Sequence, residues 1–237
     1  MQDRGQFIVF EGVDGSGKST QIKTLEEKLS ARGIKYKRFH YPKTEDPISG
    51  KLVSMFLRGE FGTVENVNPY LVALMFAFDR YVSKHEIEEL LEQGVWVISD
   101  RYVLSNVAFQ CAKMKTEQEK NELADWINKV EFEKLDLPSP DLSVLFKVPV
   151  DHVLKVLEEE RDSEDREYLQ GQSDIHEKST DLQKNVAIEY EKLHTQVGNS
   201  IEIDCIDENG KMKLPATISH IIEDRLIQMG LLDKLSN

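Results

Sequence analysis

The sequence predicts an α/β protein in which a parallel, five-stranded sheet is flanked by helices. Three observations carry this. Short apolar, β-rich runs alternate with helix-spaced segments along the chain. Two of those runs enclose one helix within about 35 residues, the span of a βαβ unit. The first run leads directly into a glycine-rich turn.

Residues 6–11 (QFIVFE) read as a buried strand, because a sheet covered on both faces calls for continuous apolar runs. Ile22, Leu25 and Leu29 then recur at helical spacing until Gly33 marks the stop. Residues 34–40 (IKYKRFH) alternate as the second strand, closed by Tyr41-Pro42. A short helix over 48–59 ends at Gly59, and a longer one runs from about Asn68-Pro69 to Gln93-Gly94. Residues 95–99 (VWVIS) form the third strand and end at Asp100; 103–134 are helical, with a break near 113–116. Pro138-Ser-Pro140 resets the chain before the fourth strand, 142–148 (LSVLFKV). A helix over 150–160, a polar and poorly periodic stretch at 161–177, and a helix at 179–197 follow. A strand at 201–205 (IEIDC) and a helix at 215–229 complete the pattern. With no repeat, low-complexity segment or linker, residues 1–237 are expected to form one domain.

Composition narrows the function. A net charge of −13 argues against a nucleic-acid binder, which needs a basic face. Only Cys111 and Cys205 are present, so no disulfide framework is expected and a reducing, cytoplasmic location fits. Met1–Gly5 lacks a basic region leading into an apolar core, and no apolar run is long enough to span a membrane.

The strongest chemical signal is Gly12-Val13-Asp14-Gly15-Ser16-Gly17-Lys18-Ser19, a complete G-x-x-x-x-G-K-[ST] followed by Thr20. Glycines let successive backbone N–H groups turn inward around a phosphate. Lys18 brings charge to the outer phosphates, the Ser19 hydroxyl can ligate Mg²⁺, and a helix starting at Lys18 aims its positive end at the same point. This is a P-loop, and it implies binding of a nucleoside triphosphate such as ATP. A GTPase would also need N-K-x-D; Asn128-Lys129-Val130-Glu131 lies inside a helical pattern and reads as a solvated helix face.

Asp100-Arg101-Tyr102 directly follows a buried strand, so it should share the P-loop's rim at the carboxyl ends of the sheet. There Asp100 can hold Mg²⁺ through water and Arg101 can meet a phosphate with a planar fork.

Asp100–Gln110 (DRYVLSNVAFQ) resembles the D-R-Y-x-x-S-x-x-A-[YF]-Q element of thymidylate kinases. Glu11–Gln21, Tyr41-Pro42, Phe76-Ala-Phe-Asp-Arg80, Pro140-Asp141-Leu142 and Asp174-Ile-His-Glu177 resemble further elements of that family, in the same order. The resemblance implies a P-loop NTP hydrolase-like fold, ATP and dTMP as substrates, Mg²⁺, a homodimer, and a lid at about 161–177. It also implies roles. Phe76 would stack on thymine, and Arg80, Ser105 and Asn106 would read its edge with Gln110 nearby. Phe109 would close against the sugar, Asp14 would reach the 3′-hydroxyl or organise the metal site, and Arg101 would bind the acceptor phosphate.

Two departures from the family pattern stand out. Some members carry an arginine within the P-loop, where this chain has Gly15, so the catalytic charge is expected from the lid, through Arg161 or Arg166. Many relatives place an arginine after the Tyr-Pro turn; here Lys43 could act as a point charge instead. Other readings remain: a kinase for another nucleotide, a deoxynucleoside kinase, or a nucleotide-binding regulatory module without transfer activity.

Overall fold

In the computed structural model the described residues are 4–64, 66–149, 152, 180–194 and 199–233. The sheet contains β1 (Phe7–Glu11), β2 (Tyr36–His40), β3 (Trp96–Asp100), β4 (Leu142–Lys147) and β5 (Ser200–Asp204). All neighbours are parallel and the order is β2-β3-β1-β4-β5. β1 and β3 are buried throughout, as their unbroken apolar runs require, and β2 and β5 form the half-exposed edges. The register sets Phe10 beside Asp100, His40 beside Asp100, and Glu11 beside Leu145. The carboxyl ends of four strands therefore share one rim. The chain crosses from one side of β1 to the other there, and such a switch point opens a crevice.

Helices α1 (Lys18–Ala31), α2 (Ser49–Leu57), α3 (Pro69–Tyr81), α4 (Lys84–Glu92), α5 (Val103–Cys111), α6 (Glu117–Asn128), α7 (Thr180–His194) and α8 (Pro215–Gln228) surround the sheet. Ile22, Leu25 and Leu29 of α1 face the core at the spacing that predicts that helix. Pro69 opens α3 behind the Asn68 cap, whose side chain accepts from the Tyr70 N–H.

Two expectations need correction. The long helix from 68 to 94 is two helices, divided at Val82-Ser83. Ser83 has φ −97° and ψ −3°, and its hydroxyl accepts from Lys43 Nζ instead of capping α4. Buried Ala77, Arg80, Ile87 and Leu91 stay in helical phase across the break, so periodicity carries no sign of it. Glu131 is not on a solvated face. It is fully buried, in a π-helical extension of α6 over Lys129–Lys134. The expected helix at 150–160 and lid at 161–177 lie outside the described residues apart from His152.

Candidate active site

The P-loop links β1 to α1. Gly12, with φ +143°, packs so tightly that a Cβ would lie 3.0 Å from the Phe146 carbonyl oxygen and 3.2 Å from Ser16 Oγ. Gly17 caps α1 in the left-handed region, with φ +92°, where a side chain would be strained even in open space. Lys18 folds back so that Nζ donates to the carbonyls of Gly12 (3.0 Å) and Val13 (2.8 Å). Burial, reinforced by Arg101, pushes its pKa below the ordinary lysine value. A phosphate arriving in the loop would replace those carbonyl partners with stronger, charge-assisted ones.

Behind the loop stands a cluster built on a buried carboxylate. Glu11 ends β1 fully buried. Its carboxylate accepts from the backbone N–H of Tyr102 (2.8 Å), from Ser105 Oγ (2.5 Å) and from Tyr190 Oη (3.1 Å). Burial drives its pKa above the usual carboxylate value, against the pull of those donors and Arg101. Arg101 sits beside it in the left-handed region (φ 66°), a strained setting for a non-glycine residue at a site. Its guanidinium donates to Asp14 (2.6 Å), Ser105 Oγ (3.2 Å) and Tyr190 Oη (3.5 Å), and lies 5.3 Å from the Phe109 ring centroid. Desolvation works against the Asp14 carboxylate, but Arg101 and Lys18 outweigh it and hold its pKa below the usual range.

Asp100 carries the next charge. Arg38 Nη2 stands 3.6 Å and His40 Nδ1 3.4 Å from its Oδ2, while Oδ1 is buried with no hydrogen-bond partner among the described residues. Burial opposes ionisation here, yet His40, Lys18 and Arg101 hold the carboxyl well below the usual range. No group of three or more His, Cys, Asp or Glu side chains among the described residues could cage a metal. The donors present, an anionic carboxylate and the Ser19 hydroxyl on the same cleft, fit a hard cation that takes most of its ligands from water and phosphate.

Of these groups, Asp14, Ser19, Arg38, His40, Asp100, Arg101 and Ser105 line a cleft of about 450 Å³. Its other walls include Tyr41, Pro42, Leu57, Phe76, Arg80, Asn106, Phe109 and Gln110. Phe76 packs edge-on against Phe56, with centroids 6.3 Å apart. Arg80 is 2% exposed, and its Nε and Nη2 grip Glu131 at 2.5 and 2.6 Å. Asn106 Nδ2 donates to the same carboxylate (2.8 Å) and to the Ala73 carbonyl (2.9 Å).

The cleft thus brings together Asp14, Ser19, Phe76, Arg80, Asp100, Arg101, Ser105, Asn106, Phe109 and Gln110. The Ser105 hydroxyl is engaged with Glu11, Tyr190 and Arg101. Lys43 is not among the lining residues: its backbone N–H is pinned to Asp79 (2.9 Å) and its ammonium turns to Ser83 (3.2 Å). Arg161 and Arg166 lie outside the described residues. Sequence reasoning passed over Glu11, Arg38, His40, Glu131 and Tyr190. Arg38 and His40 had a signal, since both alternate with buried Phe39 on β2 beside the strand that ends in Asp100.

Comparison with known proteins is consistent in direction. Residues 10–208 match the family model for thymidylate kinase. The thymidylate kinase of Mycobacterium tuberculosis (strain ATCC 25618 / H37Rv) is 32% identical over 190 residues, covering 80% of this chain and 86% of that protein. That of Homo sapiens is 39% identical over 143 residues, covering 60% of each. Among solved structures, a thymidylate kinase from Candida albicans superposes with a TM-score of 0.71 at 23% identity, covering 96% of this chain and 93% of that one; this likeness speaks for the fold.

Proposed function

The chain belongs to the thymidylate kinase family, and from that premise we propose that it transfers the γ-phosphoryl group of ATP to dTMP, giving dTDP and ADP. The observation that carries this reading is the two-part lining of the cleft. Asp14 and Ser19 of the P-loop, Asp100 and Arg101 form its charged lining, and Phe76, Asn106 and Arg80, the last held from behind by buried Glu131, line the remainder. A nucleoside monophosphate satisfies both parts at once.

In this reading Gly12–Thr20 bind ATP, with Lys18 on the outer phosphates. Arg101, braced by Asp14 and Ser105, receives the acceptor phosphate. An oxygen of that phosphate attacks the γ-phosphorus as the bond to the β,γ-bridging oxygen breaks, and ADP leaves. The oxygen is already ionised at neutral pH, so no general base is needed, and catalysis reduces to positioning and charge stabilisation. Ser19 and Asp100 would hold Mg²⁺, which neutralises charge on the phosphates when bound. Arg38 takes the place assigned to Lys43 as the cation near the acceptor phosphate, with His40 as a neighbouring hydrogen-bonding group; their support is that both line the cleft. Phe109 backs the sugar and Asp14 its 3′-hydroxyl or the metal's water shell. Since Gly15 brings no charge to the P-loop, Arg161 or Arg166 would supply it.

The active form is a homodimer. The support is an apolar stripe on α3, where Leu71, Leu74, Phe78 and Tyr81 stay exposed at helical spacing. The free, buried cysteines suit the cytoplasm, and no described helix is long and apolar enough to cross a membrane.

A coupled ADP-release assay across dTMP, dUMP, dCMP, dGMP, AMP and thymidine tests the reading, with dTMP expected to turn over best. Preference for thymidine would indicate a deoxynucleoside kinase, and no turnover with any acceptor would indicate a binding module.

A further inference from the structure

Arg80, Asn106 and Gln110 line the cleft with hydrogen-bonding side chains, and their neighbours dictate which atom each can offer. Asn106 is the clearest case. Both groups it touches with Nδ2, the Glu131 carboxylate and the Ala73 carbonyl, are pure acceptors. The amide nitrogen must therefore face them, spending both of its hydrogens. Oδ1 is left buried, with no hydrogen-bond partner among the described residues. An unpaired buried acceptor is costly unless a ligand donates to it.

Arg80 obeys the same carboxylate. Glu131 takes Nε and Nη2 in a bidentate grip, which fixes the guanidinium plane and leaves the far edge, Nη1 and the second Nη2 hydrogen, to donate. Gln110, one turn beyond Asn106 on α5, is set by a donor instead: Lys113 Nζ donates to its Oε1 at 2.8 Å, and Nε2 remains buried and unpaired among the described residues. The wall therefore offers a donor, an acceptor and a donor. A pyrimidine with a 4-keto oxygen, an N3–H and a 2-keto oxygen presents the complement. A 4-amino pyrimidine reverses the first two groups and meets donor with donor and acceptor with acceptor.

We propose that Glu131, outside the cleft itself, is a positioning residue that fixes the hydrogen-bond polarity of the base-reading wall, so that 4-keto, N3–H pyrimidine nucleotides are selected over 4-amino ones. This rests on the monophosphate-kinase reading above. The π-turn is what makes it feasible, since it carries a carboxylate from the end of α6 into the interior, between α3 and α5.

Two measurements test it. In the first, kcat/KM is compared for dTMP and dCMP in the parent enzyme and in Glu131→Gln and Glu131→Asp. The parent should prefer dTMP by about 10³-fold or more, the scale reached when a mismatch leaves buried polar groups unpaired. Glutamine retains one acceptor and adds an amide donor, so Asn106 can reverse. The preference should then fall at least about 10-fold, partly through a gain with dCMP. Aspartate keeps the acceptor polarity, so the preference should hold within about 3-fold of the parent even where total activity or Tm drops. A Glu131→Gln enzyme that folds, loses activity and keeps its full preference would make Glu131 a purely structural residue and overturn the proposal.

The second measurement uses only the parent enzyme, so misfolding cannot obscure it. N3-methyl-dTMP removes the single donor that Asn106 Oδ1 requires, and kcat/KM should fall by about 100-fold or more against dTMP. Comparable turnover of the two nucleotides would also overturn it. A parent enzyme inactive with every pyrimidine monophosphate would instead refute the underlying kinase reading.

Discussion

Removing one oxygen atom, by Tyr190→Phe, should weaken both the fold and the acceptor site. That hydroxyl lies 2.6 Å from Ser105 Oγ, donates to Glu11 Oε2 at 3.1 Å, and accepts from Arg101 Nη1 at 3.5 Å. Phenylalanine keeps the ring and nearly all the packing, so the change isolates the hydrogen bonds. A bond to a buried charged acceptor is worth about 1.5–3 kcal/mol, and that is the expected loss of stability. For a chain of this size it corresponds to a fall in Tm of roughly 3–12 °C.

The loss should also depend on pH, in one direction only. Burial raises the pKa of Glu11 in the folded protein above its unfolded value. Stability linked to its bound proton is therefore present below the ordinary carboxylate range and is lost as pH rises through the folded value. Deleting a donor to the ionised form raises the folded pKa further. The folded mutant then binds more protons at intermediate pH than the folded parent, and falls further behind as pH increases. Urea denaturation at several pH values from 4.5 to 8.5 would measure this. A cost near zero at all pH values, or one that shrinks as pH rises, would refute the account of Glu11 as a buried carboxylate held by donors. Because Arg101 loses a support at the same time, KM for dTMP should rise while KM for ATP changes little.

Other substitutions separate the roles in the cleft. Lys18→Met should lower kcat by about 100-fold or more while the protein stays folded, checked by single-turnover kinetics. Arg38→Gln should weaken dTMP binding about 10-fold in calorimetry and leave thymidine, which has no phosphate, unchanged, whereas Lys43→Met should leave both within about 2-fold. Phe78→Glu places a charge in the α3 stripe and should shift the enzyme to monomer in sedimentation velocity. Burial pushes both Cys111 and Cys205 up to about 12, so neither thiol should react with a disulfide reagent at pH 8 until the protein is unfolded.

The legible parts of this molecule are those whose reasons are local. A buried parallel strand announces itself by an apolar run, and a phosphate loop by glycines whose positive φ no other residue adopts cheaply. Asp100 and Arg101 could be put on the ligand rim because a strand end in such a sheet is a place as well as a sequence. Lys43 shows where that logic ends. It lies one residue beyond the Tyr-Pro turn, close to where a cation is wanted, yet a backbone bond to Asp79, 36 residues away, directs its side chain to Ser83. Arg38 and His40 reach the cleft instead, because strand alternation sends both to the Asp100 side of β2.

Glu131 is a harder case, and the difficulty is physical. An acidic residue among Lys129, Glu133 and Lys134 on a helical pattern has every local feature of a solvated face. Its burial becomes favourable only through partners 51 and 25 residues away, Arg80 and Asn106. Neither partner announces the pairing, because an arginine at the edge of a nucleotide site is expected to bind nucleotide. The same holds for Glu11 and Tyr190, which are 179 residues apart and meet only when α7 packs on α5. In both cases a charge is tolerable inside because a second element delivers the opposing donors. Local patterns identify the groups that would touch substrate. The groups that decide which atom each one presents can be recognised only after the chain has folded.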